Sequence, residues 1–293
     1  LRFPAQQTAA CVYTDDTPQA VEFAYEEGER HVPLEVTVRQ EAHTWSLAGY
    51  DKVAGIQYTI TNHGRQTLRD VRLGLYANLD SRDRRDGSGH LNDLISPMRD
   101  SVVVYDGRSV LVQGILVKDC FSVYGGRRVP VLHDGRTGSH LPWVALLGLS
   151  HTTDPLGFIV NDAFPGTRAA REAARAPRRD TAFTYHVFSL GLPPGQGGPP
   201  RLDSDRYAAL AGAFPEAPTE RAQDFAVLLS CGPFAHLEPG QSIEFAVALV
   251  AAENADSLSG ALTAAHLAYR GTPLNLQADS PQPYAYNNGT SGV

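Results

Sequence analysis

The chain of 293 residues contains little cysteine, and what it has is arranged in no cofactor motif. Its three cysteines, Cys11, Cys120 and Cys231, allow at most one disulfide. No C-x-x-C or C-x-x-C-H pattern occurs, which removes the usual grounds for a metal–thiolate site, a thioredoxin-like site or a c-type haem. Cys120 and Cys231 lie in apolar, strand-like surroundings, where a free cysteine behaves as a small hydrophobic residue. We expect buried thiols there.

Lysine is nearly absent, and positive charge is not in excess. Lys52 and Lys118 are the only lysines, the formal net charge is −7 and the isoelectric point is about 5.8. Nucleic-acid-binding domains usually carry a basic surface and a high isoelectric point. The composition therefore predicts no nucleic-acid partner. Arginine and alanine in place of lysine are typical of a bacterial genome rich in G and C.

Long hydrophobic runs are also lacking. The longest, at 143–149 and 245–252, have the length of strands, whereas a membrane-spanning helix needs about 20 apolar residues. We predict no transmembrane segment. The sequence given starts at Leu1 and its sole methionine is Met98, so we expect a processed N-terminus, for which removal of a signal peptide is one cause. The expected location is the periplasm or the cell exterior.

Turn-forming residues and alternating strands dominate the rest of the chain, with 27 glycines and 20 prolines. Period-2 alternation predicts strands at 32–40, 56–61 and 71–79, which we expect to form an antiparallel meander. Further apolar segments bounded by turn residues predict short strands at 101–105, 110–117, 120–123, 143–149, 157–160, 183–190, 225–229 and 243–250.

Two main helices are predicted. Residues 203–210 form a short helix that Asp203 or Ser204 can cap, and 256–269 has apolar positions at helical spacing and ends before Gly271. The predicted fold is mainly β, an antiparallel two-sheet β-sandwich, either immunoglobulin-like or larger, with a C-terminal helix and short helical insertions. We expect an extended N-terminal segment at 1–20, a single domain at 21–271 and an extended tail at 272–293. A division near Pro193–Pro200 is the alternative.

Two stretches of the chain match a pattern found in other proteins. Residues 50–80 contain Y-T-I-T-N and D-V-R-L-G-L-Y-A-N-L-D, and residues 228–250 contain G-P-F-A-H-L-E-P-G-Q-S. These stretches resemble uncharacterised secreted β-sandwich proteins of bacteria, which occur as extracellular or cell-envelope modules. The first is also similar to immunoglobulin-like strand pairs and to the large sandwich of aldose-epimerase-like proteins. Asn78 stands where the pattern commonly has aspartate, which weakens any shared metal site.

The best metal-site candidate in the sequence is the loop from Asp80 to His90. Asp80, Asp83 and Asp86 lie close together beside glycines and offer the oxygen ligands that Ca²⁺ prefers. The loop lacks EF-hand spacing, and its arginines favour internal ion pairs instead. We predict calcium as the only candidate cofactor. His133, Asp134 and His140 form a second group, but their spacing is that of an ordinary loop.

Catalytic motifs are weak throughout the chain. Ser150 lies in G-L-S-H-T, which is not the G-x-S-x-G elbow of serine hydrolases. His186 would be an acid or base in an epimerase-like protein, although a structural strand histidine is the simpler interpretation. Carboxylates suitable for glycoside chemistry are Glu35, Glu41, Asp162 and Glu244.

Two functions therefore remain open. The first is a non-catalytic structural or interaction subunit of a bacterial envelope, of the periplasmic face of a membrane complex or of an extracellular assembly, with other protein chains as partners. The second is a secreted carbohydrate-binding or carbohydrate-active protein, either epimerase-like or glycosidase-like. Exposed aromatic residues beside a carboxylate pair would favour the second, and a broad apolar surface without a deep polar cleft would favour the first. Trp45 and Trp143 lie in apolar segments, and we expect them in the core.

Overall fold

The structure of the chain is a computed structural model. The described residues are 5–19, 32–79, 93–112, 115–134, 143–152, 183–270 and 274–275. No helix within these ranges is long and apolar enough to cross a membrane.

Eight strands form a large antiparallel sheet. Their order is β1-β2-β3-β10-β7-β6-β11, and β5 pairs with β6. The strands are β1 (Gln7–Thr14), β2 (Val36–Thr44), β3 (Val53–Asn62), β5 (Asp93–Val112), β6 (Ile115–Asp134), β7 (Trp143–His151), β10 (Ser242–Ala252) and β11 (Leu274–Asn275). Strand β1 pairs with β2 only, so it forms one edge of this sheet as described.

Three strands form a second antiparallel sheet, in the order β4-β9-β8. They are β4 (Leu68–Asn78), β8 (Thr184–Ser189) and β9 (Phe225–Leu237). A short 3-10 turn, Pro194–Gln196, and helix α1 (Asp203–Leu210) lie between β8 and β9, and helix α2 (Ala255–Arg270) follows β10. The predicted bounds of the two main helices agree with α1 and α2 to within a residue.

The two sheets pack face to face around one apolar core, which confirms the predicted β-sandwich. Alternate residues of the strands point inward and are buried, since successive side chains of a strand lie on opposite faces. The stacked rings of Tyr58 and Phe245 have centroids 4.7 Å apart. The buried members of this core are Tyr58, Ile60, Leu73, Leu146, Phe183, Leu229, Cys231, Phe234, Leu237, Ile243, Phe245 and Val247.

Helix α2 covers part of the outer face of the large sheet. The helix contacts β3, β5, β7 and β10. Its residues 261–269 are all buried, and Leu258, Leu262 and Leu267 are fully buried. Alanines in β10 and α2 allow the helix to lie close to the sheet. Trp45 belongs to this second core and is 5% exposed, and Trp143 packs against it, as the sequence predicts.

A glycine in β9 is required by a close approach of the backbone. Gly232 has φ 119°, and a Cβ there would lie 2.7 Å from the carbonyl oxygen of Val71. The β4–β9 register shifts at this point, between Val71 and Leu73. The bulge therefore explains the G-P-F motif as a packing requirement of the small sheet.

The predicted meander of the first three strands is wrong. Strands β2 and β3 pair, but β3 takes β10 as its second neighbour and β4 crosses to the small sheet. Alternation and turn residues mark where a strand ends, and they do not say which sheet the next strand joins. Strand β2 also begins at Val36 instead of Val32, because Glu35 has φ 56° and interrupts the extended chain.

The predicted short strands at 101–105, 110–117 and 120–123 are parts of two long ones, β5 and β6. These form a hairpin with register shifts between Arg99 and Ser101 and again around Arg108. Each shift breaks the period-2 pattern while the strand continues. The sequence pattern therefore divides each continuous strand into pieces.

Candidate functional site

The edge strand β1 has an exposed apolar surface. All its residues from Gln7 to Tyr13 are exposed, and the side chains of Val12 and Tyr13 are 60% and 48% exposed. Cys11 lies between Ala10 and Val12 as an exposed free thiol. We call Gln7–Thr14 the contact strand.

Side-chain hydrogen bonds hold the beginning of the contact strand. The Oε1 atom of Gln6 accepts hydrogen bonds from the backbone N–H of Ser46 at 2.6 Å and from its hydroxyl at 2.8 Å. The Thr8 hydroxyl lies 3.1 Å from Nδ1 of His43. His43 is 6% exposed, and burial lowers the pKa of its imidazole, so this contact is made by a neutral ring at neutral pH.

The end of the contact strand is held by two aspartates. Asp15 accepts hydrogen bonds from the N–H of Leu34 at 2.6 Å and from that of Val36 at 3.0 Å. Asp16 Oδ2 lies 3.0 Å from Nε2 of His63, at the end of β3. The contact strand is therefore fixed to both β2 and β3, and its exposed side chains are carried by an ordered backbone.

The group Asp16–His63–Thr37 has the order of a catalytic triad. The Thr37 hydroxyl lies 2.8 Å from Nδ1 of His63, and hydrogen bonds from the Thr14 hydroxyl and from His63 lower the pKa of Asp16. Acyl transfer also needs N–H donors that point at a developing oxyanion. The N–H groups of His63 and Gly64 are already used, since both donate to the carbonyl of Glu35. The trio connects the end of β1 to β2 and to the end of β3.

The contact strand shields an inner-face tyrosine. Cys11, Gln40 and Tyr58 are opposite one another across β1, β2 and β3, so they share the inner face of the large sheet. Burial is the main cause that raises the pKa of Tyr58 to about 12, and the nearby Tyr13 and Cys11 contribute further to this increase. Strand β1 therefore lies at the margin of the apolar core, next to Tyr58.

A polar surface occupies the outer face of the large sheet beside α2. Glu41 lies opposite Gln57, and Glu244 lies opposite Thr59, which in turn lies opposite Arg39. The Arg39 guanidinium is 2.8 Å from a Glu41 carboxylate oxygen. Two of the four predicted carboxylates, Glu41 and Glu244, thus share a face, about 12 Å apart at Cα from the strand spacings.

The buried end of this polar surface is formed by Ser150. Its hydroxyl donates a hydrogen bond of 2.5 Å to the Tyr269 hydroxyl, so Ser150 links β7 to α2. The neighbouring His151 points to the opposite, inner face, edge-on to Phe183 and Phe234. A small cavity of about 50 Å³ lies here and includes Gln57 and Glu244 in its walls.

A larger cavity lies on the outer face of the small sheet under α1. Its volume is about 330 Å³, and its walls are mostly apolar: Tyr76, Phe188, Pro199, Pro200, Arg206, Ala209, Leu210 and Leu228. His186 is nearby, with its ring centroid 4.6 Å from that of Phe188. Its Nε2 donates to the Pro215 carbonyl at 3.1 Å, and it is 2% exposed. His186 is therefore a buried strand residue with a backbone hydrogen bond, and its Nδ1 lies 3.8 Å from a Glu216 carboxylate oxygen.

Several predicted site residues lie outside the described part of the chain. They include the calcium candidates Asp80, Asp83 and Asp86, together with His140 and Asp162. His133 and Asp134 end β6, and Glu35 lies just before β2. Among the described residues, no group of three or more His, Cys, Asp or Glu is placed to hold a metal ion.

Sequence reasoning missed the contact strand and its fastenings. Period 2 is the main sequence sign of a half-buried strand, and both faces of β1 are exposed, so no alternation marks it. The remaining sign is weak: Cys11-Val12-Tyr13-Thr14 is a short run of residues that are mostly common in strands. Asp16, Thr37 and His63 are separated in sequence and meet only through the sheet register.

Comparison with known proteins gives little beyond the fold. No protein-family model matches the chain, and no curated protein does. Among solved structures, one that matches is the crystal structure of a protein from Escherichia coli K12 described as a "Putative aldose 1-epimerase". It is 10% identical, with a TM-score of 0.34, and the alignment covers 86% of this chain and 68% of that one.

Proposed function

We propose that this chain is a non-catalytic structural or interaction protein of a bacterial envelope, of the periplasmic face of a membrane complex or of an extracellular assembly, and that β1 is its contact strand. The observation that carries the proposal is an ordered edge strand with exposed Val12 and Tyr13. An exposed strand edge presents N–H and C=O groups to another chain, and apolar side chains on it add contact area.

The fastenings of β1 favour binding. Gln6, Asp15 and Asp16 hold both ends of the strand in place, so a partner would not have to order it. Binding to a pre-organised segment avoids much of the conformational entropy that a flexible one loses. The catalysis-like trio at Asp16 fits this role, since its contacts secure the strand.

The proposal is tested by replacing Val12 with lysine in the full chain. The tagged protein would be isolated gently from its native host, and the associated chains and their stoichiometry would be measured. A matched control is Leu202→Lys, because Leu202 is 38% exposed and lies next to α1, outside the contact strand. We expect a partner at fixed ratio that is lost with Val12→Lys and kept with Leu202→Lys. Association that is equal in both variants would refute β1 as the contact strand.

A second candidate function, carbohydrate binding or chemistry, is favoured by the polar surface. Glu41 and Glu244 lie about 12 Å apart at Cα on one face, and glutamate side chains can bring two carboxyls within the range of about 6.5–9.5 Å that inverting glycosidases use. Among the described residues, the exposed aromatic side chains of Tyr13, Tyr76 and Tyr207 lie on other surfaces, which makes this the weaker proposal.

The carbohydrate function is tested with glycan binding, hydrolysis and mutarotation assays. Glu41→Gln and Glu244→Gln are the diagnostic variants, and Glu238→Gln is the control on the turn before β10. This second function would be established if the chain had such an activity, if both diagnostic variants lost it and if the control variant kept it. Binding or turnover unchanged in all three variants would exclude the polar surface as its site.

A further inference from the structure

The contact strand lacks the features by which proteins protect a sheet edge. Gln7–Thr14 contains no charged residue, no proline and no glycine, and it pairs with β2 in an unbroken register. Natural edge strands are usually short or interrupted by bulges, or they carry lysine or proline. With eight residues, β1 is longer than the average strand of about five or six. These properties indicate that another strand covers this edge.

We propose that the covering strand is β1 of a second copy of this chain, paired antiparallel about a two-fold axis at Cys11. This proposal rests on the proposed function and names its partner. A two-fold contact requires a surface that is complementary to itself. The sequence of β1 meets that requirement, because an uncharged strand brings no like charges together when it pairs with its own copy.

The register follows from backbone geometry and side-chain size. In an antiparallel pair, only alternate residues point their N–H and C=O groups outward, so the two-fold axis must pass at a residue and not between two. With Cys11 at the axis, Tyr13 lies opposite Ala9 of the second copy and Val12 lies opposite its Ala10. A large side chain then meets a small one on both faces of the new ladder.

The neighbouring registers fit less well. If the axis passed at Ala10, Val12 would lie opposite Thr8 of the second copy. If it passed at Val12, the two Val12 side chains would lie opposite each other, and only five residues of each strand would pair. The register at Cys11 pairs the whole segment Thr8–Thr14 and sets threonine opposite threonine at its ends. Thr–Thr pairs are favourable cross-strand neighbours.

Cys11 reports this register directly. Residues directly opposite in an antiparallel pair have Cα atoms about 4.5 or 5.5 Å apart, within the range of about 4.4–6.8 Å found in disulfides. In either neighbouring register, the two Cys11 residues become diagonal neighbours, about 7–8 Å apart, beyond that range. A Cys11–Cys11 crosslink is therefore expected only in the proposed register.

The experiment combines sedimentation with oxidative crosslinking of the full chain. The self-association constant is measured by analytical ultracentrifugation under reducing conditions. Crosslinking with diamide, a mild thiol oxidant, is followed on non-reducing gels, and the linked residues are identified by mass spectrometry. The variants are Cys11→Ser, Val12→Lys, Leu202→Lys and the double variant Ala9→Cys/Cys11→Ser.

We expect a reducible dimer linked through Cys11 and a non-covalent dimer that persists in Cys11→Ser. Val12→Lys should weaken self-association by about tenfold or more, because the two-fold axis introduces two lysines at once. Leu202→Lys should leave it unchanged. The double variant should crosslink much more slowly, since residue 9 faces residue 13 of the other copy.

Two results would overturn the self-pairing. One is a monomer at all concentrations, and the other is crosslinking at equal rates in the wild type and in the double variant. If Val12→Lys still abolished binding of a different protein in the native host, the proposed function would stand with another partner. If it changed neither self-association nor any partner, the proposed function would fail as well.

Discussion

Asn62 joins the two sheets through one buried amide, and its removal should destabilise the sandwich by about 3 kcal/mol. Asn62 ends β3 and is fully buried. Its Nδ2 donates to the carbonyl of Gln66 at 2.8 Å and to that of Leu237, at the end of β9, at 2.9 Å. Its Oδ1 accepts the N–H of Gly64 at 3.0 Å. Asn62→Ala removes all three bonds.

The magnitude follows from the number of bonds. Each intramolecular hydrogen bond contributes about 1 ± 0.5 kcal/mol net, so three give a loss of about 1.5–4.5 kcal/mol in the free energy of unfolding, centred on about 3 kcal/mol. Since about 1 kcal/mol shifts the Tm of a protein of about 150–250 residues by about 2–4 °C, the central value predicts a decrease of about 6–12 °C. Urea denaturation and calorimetry would measure both quantities.

The matched control for Asn62 is Asn78→Ala. Asn78 is exposed at the end of β4, and a surface substitution away from special features usually changes stability by less than about 0.5 kcal/mol. A loss below about 1 kcal/mol for Asn62→Ala, or an equal loss for both variants, would refute the claim that this amide connects the sheets.

Three further predictions concern single contacts. The Lys52 ammonium lies 2.5 Å from a Glu253 carboxylate oxygen and, together with backbone and Ser257 hydrogen bonds, lowers the pKa of Glu253 to about 2. The stability that this ion pair contributes is lost as pH falls from about 4.5 towards 2. Lys52→Gln should raise the Glu253 pKa measured by carbon NMR, and an unchanged value would contradict the pairing. Gly148→Ala would place Cβ 2.5 Å from the Phe183 ring and should lower the free energy of unfolding, measured in urea, by about 1–3 kcal/mol. Adding Phe183→Leu should restore part of that loss. If the losses of the two single variants simply added in the double variant, the clash would be refuted. Because the fold raises the pKa of Tyr58, it favours the neutral phenol, and the stability that this contributes is lost as pH rises from about 10 to about 12. Tyr13→Ser should lower the Tyr58 pKa in an ultraviolet titration, and the control Tyr207→Ser should leave it unchanged. Equal titration curves for the two variants would show that β1 does not shield Tyr58.

The parts of the fold that the sequence predicts are those where burial imposes a period. Strands β3 and β10 have one face in each apolar core, and the predicted alternation at 56–61 and the predicted apolar strand at 243–250 both lie within them. Helix α2 has apolar residues at helical spacing, and the structure buries all its residues from 261 to 269. Apolar composition and spacing are local properties, so a local pattern contains them.

Pairing between strands is not local, and the sequence does not predict it. The turn at Asn62 is visible as turn chemistry, but only the structure shows that its amide reaches Leu237 in the other sheet. The candidate site depends on the same kind of information. Asp16 and His63 meet because β1 and β3 both flank β2, and no spacing in the sequence expresses that.

The unequal width of the two sheets connects the fold to the proposed function. In the described structure the small sheet has three strands and the large sheet eight, so inner-face positions of β1 extend beyond the apolar core. Tyr13 and Cys11 lie on that inner face in register with Val38 and Gln40, next to a core that continues to Tyr58. Exposure of an apolar strand at the margin of a core has a free-energy cost that burial against a second strand would recover. Under the proposed function, this exposed apolar edge would supply the driving force for association, and the hydrogen bonds at both ends of β1 would hold the strand in place for a partner.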